Sequence, residues 1–264
     1  MYKRQEELEA LDIGTIMERD TQIELGESDD GAIHLDNLSI AHSNGRVVVA
    51  DATVTIARGA KVLIAGESGS GKSTLIRALA GLWPWGSGSI RVPAGQSIAF
   101  VPQKPYLPRG TLRSILLYPD SDRPVADETI VEALQRCGLS YLARRLDEEE
   151  EDRDRVLSGG ERQRVAFARL LLQQPDIIVM DEATSALDEE SQASLLRLFD
   201  EELAEATLIS VGHRPGLEDY HDQKITLERR PAGAQVTSRR LRKSLWRLFR
   251  SRSIAHEDDR SQPG

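Results

Sequence analysis

The order of elements in the sequence predicts an α/β fold whose mainly parallel sheet is covered by helices on both faces. Two observations carry that expectation. Short apolar runs alternate with stretches of helical periodicity through most of the chain, and neighbouring parallel strands need crossover connections of that kind. Residues 177–180, Ile-Ile-Val-Met, are apolar at every position, as in a strand buried on both faces.

Residues 1–31 are polar and acidic, with one weak helical stretch over 5–17, and read as a linker or arm. β-like runs follow at 32–40, 46–49 and 53–56, separated by turn signals such as Ser43-Asn44-Gly45. Residues 61–65 form an apolar strand that enters a glycine-rich loop, and 73–81 are helical in pattern. A strand over 97–101 runs into Pro102-Gln103. Residues 111–146 are largely helical, and the acidic run 147–152 reads as a solvated face. A helix over 161–173 is stopped by Pro175, 191–203 is helical, and 207–211 reads as the final strand. Residues 239–252 carry seven Arg or Lys and no acid, with Leu241, Leu245, Leu248 and Phe249 on one helical face. This tail, 231–264, could lie on anionic lipid with Trp246 at the interface, dock on the acidic core, or hang free.

A chain of 264 residues fits one domain with tails. Its net charge of −9 argues against a general nucleic-acid binder, which would be basic. A single cysteine, Cys137, leaves no internal disulfide or thiolate metal site and implies a reducing compartment; it reads as a buried apolar residue. No stretch approaches the roughly 20 apolar residues of a membrane helix, and the charged N-terminus is no signal peptide. Trp83 and Trp85 flank Pro84 and read as packing residues.

Gly66-Glu67-Ser68-Gly69-Ser70-Gly71-Lys72-Ser73-Thr74 sits between a strand and a helix, the context of a phosphate-binding P-loop. Its glycines let backbone amides ring the phosphates, and the helix behind points its positive end at them. Lys72 would reach the β- and γ-phosphates of a nucleotide such as ATP, and Ser73 would ligate Mg²⁺. Strand 177–180 delivers Asp181 to its C-terminal end, where a carboxylate can hold Mg²⁺ through water. Glu182 is the candidate for polarising the attacking water. Leu157-Ser158-Gly159-Gly160-Glu161 precedes another helix and offers a second anion clamp. One nucleotide does not need two clamps in one chain, whereas a dimer does if each chain closes on its partner's nucleotide.

With Arg162-Gln163-Arg164-Val165-Ala166-Phe167-Ala168-Arg169 after it, that segment resembles the signature of the ABC family. The resemblance runs from about residue 32 to 227. It implies a P-loop NTPase of ABC type, with an N-terminal antiparallel β subdomain and a helical signature subdomain over about 104–174, inside an ATPase domain of 32–230. It further implies that Gln103 senses Mg²⁺ and γ-phosphate, that Ser185 to Asp188 form the D-loop, and that His213 is the switch histidine. In the implied mechanism ATP and Mg²⁺ lie between the P-loop of one chain and Ser158, Gly159, Gly160 and Glu161 of the other. Residues 100–113 and Ser210-Val211-Gly212-His213-Arg214 are similar to half-transporters whose ATPase is fused behind a transmembrane domain. That group includes peroxisomal fatty-acyl transporters and bacterial relatives of the carrier BacA. The implied partners are a second copy and a transmembrane domain, fused upstream or a separate subunit, at the cytoplasmic face of a membrane. The alternative is a soluble ABC ATPase acting on DNA or ribosomes; the single cassette, the lack of a coiled-coil insertion and the acidic charge weigh against it. Two positions depart from the family pattern. His42 stands where an aromatic stacks on adenine and could stack or simply turn the chain, and residues 151–156 lack the glycine-containing pattern of many exporters.

Overall fold

The computed structural model describes residues 22–150, 156–214 and 216–241. One ten-stranded sheet runs through them in the order β1-β5-β2-β3-β12-β11-β4-β10-β9-β6. Its strands are β1 (Glu24–Ser28), β2 (Ile33–Ala41), β3 (Val47–Ile56), β4 (Lys61–Gly66), β5 (Gly86–Pro93), β6 (Ile98–Val101), β9 (Ile177–Asp181), β10 (Thr207–Val211), β11 (Gln223–Glu228) and β12 (Ala234–Arg240). The segment from β11 through β4, β10 and β9 to β6 is parallel throughout. Every residue of β10 is buried, as are the first four of β4 and of β9, which is why these strands are apolar on both faces apart from Lys61, Thr207 and Ser210.

The N-terminal half of the sheet is antiparallel where β2 pairs with β3 and β5. β3 joins two runs that look separate in the sequence, 46–49 and 53–56. Asp51 sits at φ +47 between them, and its amide donates to the Ser39 hydroxyl at 3.0 Å across an irregular register between β2 and β3. The polar interruption is thus a bulge inside one strand.

Three boundaries differ from the sequence reading. β1 pairs in parallel with β5, so the sheet begins inside the expected linker 1–31. Its residues are almost all exposed, and an edge strand of that kind carries no apolar signal. β5, Gly-Ser-Gly-Ser at its start, is a strand that the sequence reading leaves unassigned. Gly88 has φ +81, and a Cβ there would stand 2.3 Å from the Asn37 carbonyl oxygen, so the glycine marks a close approach of two backbones rather than a turn. Finally, β10 is not the last strand. The antiparallel pair β11 and β12 follows, and β12 joins β3 through Ala234 and Gln235, inside the expected tail 231–264. β12 is largely exposed and cationic, so its charge was legible and its pairing was not. Residues 5–17 and the remainder of the basic tail, Leu245, Trp246, Leu248 and Phe249 included, lie outside the described residues.

Helix α1 (Lys72–Leu79) packs on one sheet face, in a core that includes Leu75, Ile76, Ile64, Ile40 and Ile209. The other face carries α2 (Leu112–Leu117), α3 (Asp127–Arg136), α4 (Gly159–Gln173) and α5 (Glu189–Arg197), with 3-10 turns at Ser140–Arg145 and Leu198–Asp200. Phe167 of α4 meets Phe199 edge-on at 6.1 Å. A short pair, β7 (Gly110–Thr111) with β8 (Glu149–Glu150), brackets this helical layer. Helix α4 starts at a capping box: Ser158 Oγ accepts the Glu161 amide, and Glu161 accepts the Ser158 amide at 2.7 Å. It ends at Gln174 with φ +48, before Pro175. The architecture agrees with the expected fold: a mostly parallel sheet, an antiparallel N-terminal part and a helical layer.

Candidate functional site

The C-terminal ends of β4, β6, β9 and β10 open onto one edge, where an α/β sheet presents its loops. From β4 the chain enters the glycine-rich loop, Gly66 to Gly71, and then α1. Gly66 has φ +151, and a Cβ there would lie 2.6 Å from the Leu227 carbonyl oxygen. Gly71, at φ +96, caps α1 without any side-chain acceptor, so its first-turn amides stay available to a ligand. Lys72 folds back over the loop, donating from Nζ to the Gly66 and Glu67 carbonyls at 2.9 and 2.8 Å. Burial pulls its ammonium below the ordinary lysine range, and the nearby Glu182 and Asp181 oppose that pull. Ser70 Oγ is buried and, among the described residues, has no hydrogen-bond partner. A hollow loop, an ammonium on carbonyls and an orphaned hydroxyl together fit an anion with several oxygens. Glu67, Ser68 and Gly69 form the exposed rim of the loop, and Ser73 and Thr74 open α1 behind it.

Ser73 Oγ donates to Asp181 Oδ1 at 3.1 Å. Two hard oxygen donors side by side suit Mg²⁺, which completes its shell with water and phosphate oxygens. Glu182 follows at φ +51, an uncommon conformation for a residue with a side chain. Its carboxylate accepts Gln103 Nε2 at 3.1 Å and stands 3.6 Å from His213 Nε2. Ser73, Asp181, Glu182, Gln103 and His213, read from four separate stretches of sequence, therefore meet in one cluster.

The signature residues occupy the N-terminus of α4. Because Ser158 Oγ serves its cap as an acceptor, its hydroxyl proton remains to donate, beside the amides of Gly159 and Gly160. Glu161 is different. Its carboxylate takes the Ser158 amide and the Tyr141 hydroxyl and so caps the helix, while its own amide is held by Ser158 Oγ. Asp188 likewise caps α5, accepting Ser191 N and Oγ at 2.8 Å each. His42 both turns the chain and faces a groove. Its backbone closes the hairpin turn with Gly45 and Arg46. Its imidazole meets Trp83 edge-on at 5.9 Å and lines an opening of about 580 Å³ beside Val48, Gly69 and Ser70.

Two site residues escaped the sequence reading. Arg214 donates to the Leu187 and Ser185 carbonyls at 2.5 and 2.7 Å, tying the loop after β10 to residues 185–187. Gln163 is 1% exposed within α4. The signal for it was present: an amide in the row of Ala166, Phe167 and Leu170, where a helix is otherwise apolar.

A family model described as ABC transporter matches residues 49–185. The chain is similar to an uncharacterized ABC transporter ATP-binding protein of Haemophilus influenzae, 42% identical over 192 residues, across 73% of this chain and 32% of that protein. It is 40% identical over 214 residues to the lysosomal cobalamin transporter ABCD4 of Mus musculus, across 76% of this chain and 35% of that protein. The mouse ATP-binding cassette sub-family D member 3 is 34% identical over 208 residues. Both agree with the half-transporter resemblance at residues 100–113 and 210–214. Among solved structures, a bacterial Atm1-family ABC exporter with ATP bound matches with a TM-score of 0.71 and 25% identity, over 95% of this chain and 45% of the exporter's. The chain thus spans about a third of the length of the curated relatives it matches.

Proposed function

The chain belongs to the ABC transporter family of ATP-binding proteins, and on that premise we propose that it binds and hydrolyses ATP as a head-to-tail pair, driving a membrane-spanning partner. The observation that carries the reading is the cluster at the strand ends: Ser73 bonded to Asp181, and Glu182 held between Gln103 and His213.

Each residue has a step. Lys72 exchanges the Gly66 and Glu67 carbonyls for β- and γ-phosphate oxygens, and the amides of 69–74 ring the same phosphates. Ser73 and Asp181 would hold Mg²⁺, which when bound would supply charge neutralisation along the triphosphate. Glu182 orients the attacking water and accepts its proton. Gln103 fixes that carboxylate, and His213 donates to the γ-phosphate as charge develops. Ser158, Gly159 and Gly160 of a second copy seal the far side. His42, steadied by Trp83, stacks on the adenine.

The names of the relatives support transport rather than work on DNA or ribosomes. Among the described residues no helix is long and apolar enough to cross a membrane; the membrane-spanning partner of this proposal is a domain fused upstream or a separate subunit. It would dock where Phe100, Pro105, Tyr106 and Tyr118 line a groove of about 390 Å³ beside Arg169, at the cytoplasmic face of the membrane. Tyr106 is 65% exposed there.

The test is Glu182→Gln. ATP should still bind, phosphate release should fall by about 10²- to 10⁴-fold, and light scattering should show an ATP-stabilised dimer. Undiminished turnover in that variant would remove Glu182 from the role of base.

A further inference from the structure

We propose that Gln163 is a positioning residue that ties the signature end of α4 to the hydrolytic cluster of its own chain. This rests on the reading above, in which Glu182 activates water and Ser158 to Gly160 close on a second copy's nucleotide.

Gln163 lies one turn into α4, and its amide is wholly engaged in the interior. Nε2 donates to the Gln103 carbonyl at 3.1 Å and to Ser185 Oγ at 3.4 Å, while Oε1 accepts the Ala186 amide at 3.0 Å. Gln103 is the residue whose side chain holds Glu182 at 3.1 Å, and it too reaches Ser185 Oγ at 3.4 Å. One buried amide therefore fixes both the backbone behind Gln103 and the turn that follows Glu182.

The signature glycines rest on that same turn. A Cβ on Gly159 would lie 3.4 Å from Ala186 Cβ, and one on Gly160 would lie 3.3 Å from the Ala186 carbonyl oxygen. From the opposite side Arg214, next to His213, grips the Ser185 and Leu187 carbonyls. Residues 185–187 are thus pinned between α4 and the loop after β10. Tilting the N-terminus of α4 must carry Gln103 and residues 185–187 with it, because breaking away would leave buried amide groups unpaired. Engagement of Ser158 to Gly160 by a second copy's nucleotide and alignment of Glu182 on its own nucleotide become one movement. The hydrogen bonds of Gln163 go to Gln103, Ser185 and Ala186 and none to residues 66–74, so nucleotide affinity and turnover should separate.

The experiment compares Gln163→Met, which keeps length and loses every hydrogen bond, with Gln163→Glu, which keeps the acceptor for Ala186 and loses the donor to Gln103. Steady-state ATP hydrolysis, binding of a fluorescent ATP analogue and melting temperature are measured on the purified chain. Gln163→Met should lower kcat about tenfold or more with KM and analogue binding changed by less than about threefold. Turnover of Gln163→Glu, relative to the parent, should recover as pH falls from about 8 to about 6, because a protonated buried glutamate regains an O–H donor. Loss of packing alone would give no such recovery. Unchanged kcat in Gln163→Met overturns the proposal, as does a parallel loss of binding and turnover or a flat relative pH profile in Gln163→Glu. If Gln163→Met does not fold, the Gln163→Glu profile decides alone. Ser158→Ala is assayed alongside. Full turnover in Ser158→Ala removes the shared-nucleotide reading and this proposal with it, whereas a loss there beside an unaffected Gln163→Met removes this proposal only.

Discussion

Gly66 and Gly69 stand in the same loop, yet alanine at the two positions should have very different consequences. At Gly69, φ is +75 and no heavy atom lies within 4 Å of an added Cβ. Only the backbone conformation is strained, at about 1–2 kcal/mol. At Gly66, φ is +151, and the new Cβ would meet the Leu227 carbonyl oxygen at 2.6 Å and Ser70 Oγ at 2.7 Å. Strained backbone costs about 1–3 kcal/mol, and overpacking against β11 adds about 1–3 kcal/mol, or about 4 kcal/mol in the middle of the range. For a domain of this size each kcal/mol moves the melting temperature by about 2–4 °C. Gly66→Ala should therefore melt about 8–16 °C below the parent and Gly69→Ala about 2–8 °C below it, followed by circular dichroism without nucleotide. Equal shifts for the two variants would refute the claim that the approach of β11, rather than glycine content as such, dictates Gly66.

Other consequences concern groups away from the loop. Lys61 is buried at the start of β4 and donates to the carbonyls of Leu203, Ala204 and Ala206; Lys61→Met should cost about 2–4 kcal/mol in urea denaturation, and an unchanged midpoint would count against that role. Cys137 is 2% exposed, with burial pushing its thiol up to about 12, so iodoacetamide should label the chain only in denaturant. Labelling of the native protein would contradict its burial. Ser97 holds the Asp176 carboxyl below the usual range, and Ser191 does the same for Asp188. A depressed folded pKa stabilises the fold above the unfolded value, about 3.9, and that contribution is lost as pH falls through the folded value. Urea midpoints should thus hold from about pH 7 to 5 and drop below about 4, with a shallower drop in Asp176→Asn. A superimposable profile in that variant would remove Asp176 from the account.

The parts of the site legible in sequence were those set by local chemistry. A loop that must turn with positive φ needs glycine, so residues 66–74 declared themselves. Residues 157–161 announced a helix N-terminus just ahead, and a strand buried on both faces shows an unbroken apolar run, which placed Asp181 and Glu182 at its end. At Glu161 the spacing fits both a capping box and a ligand contact, and the fold gives its carboxylate to the Ser158 amide and the Tyr141 hydroxyl.

What the sequence by itself determined, then, was the fold class, the phosphate loop and the acidic strand end, since each follows from residues adjacent in the chain. Tertiary structure alone decided that β1, β5 and β12 belong to the sheet, because an exposed edge strand (β1), a glycine-rich strand (β5) and a largely exposed cationic strand between β3 and β11 (β12) gain their stability from pairing rather than from any apolar pattern of their own. It also decided what Gln163 and Arg214 do. A buried amide or guanidinium has no meaning until its partners are brought to it, and here those partners, Gln103 and residues 185–187, arrive from other elements.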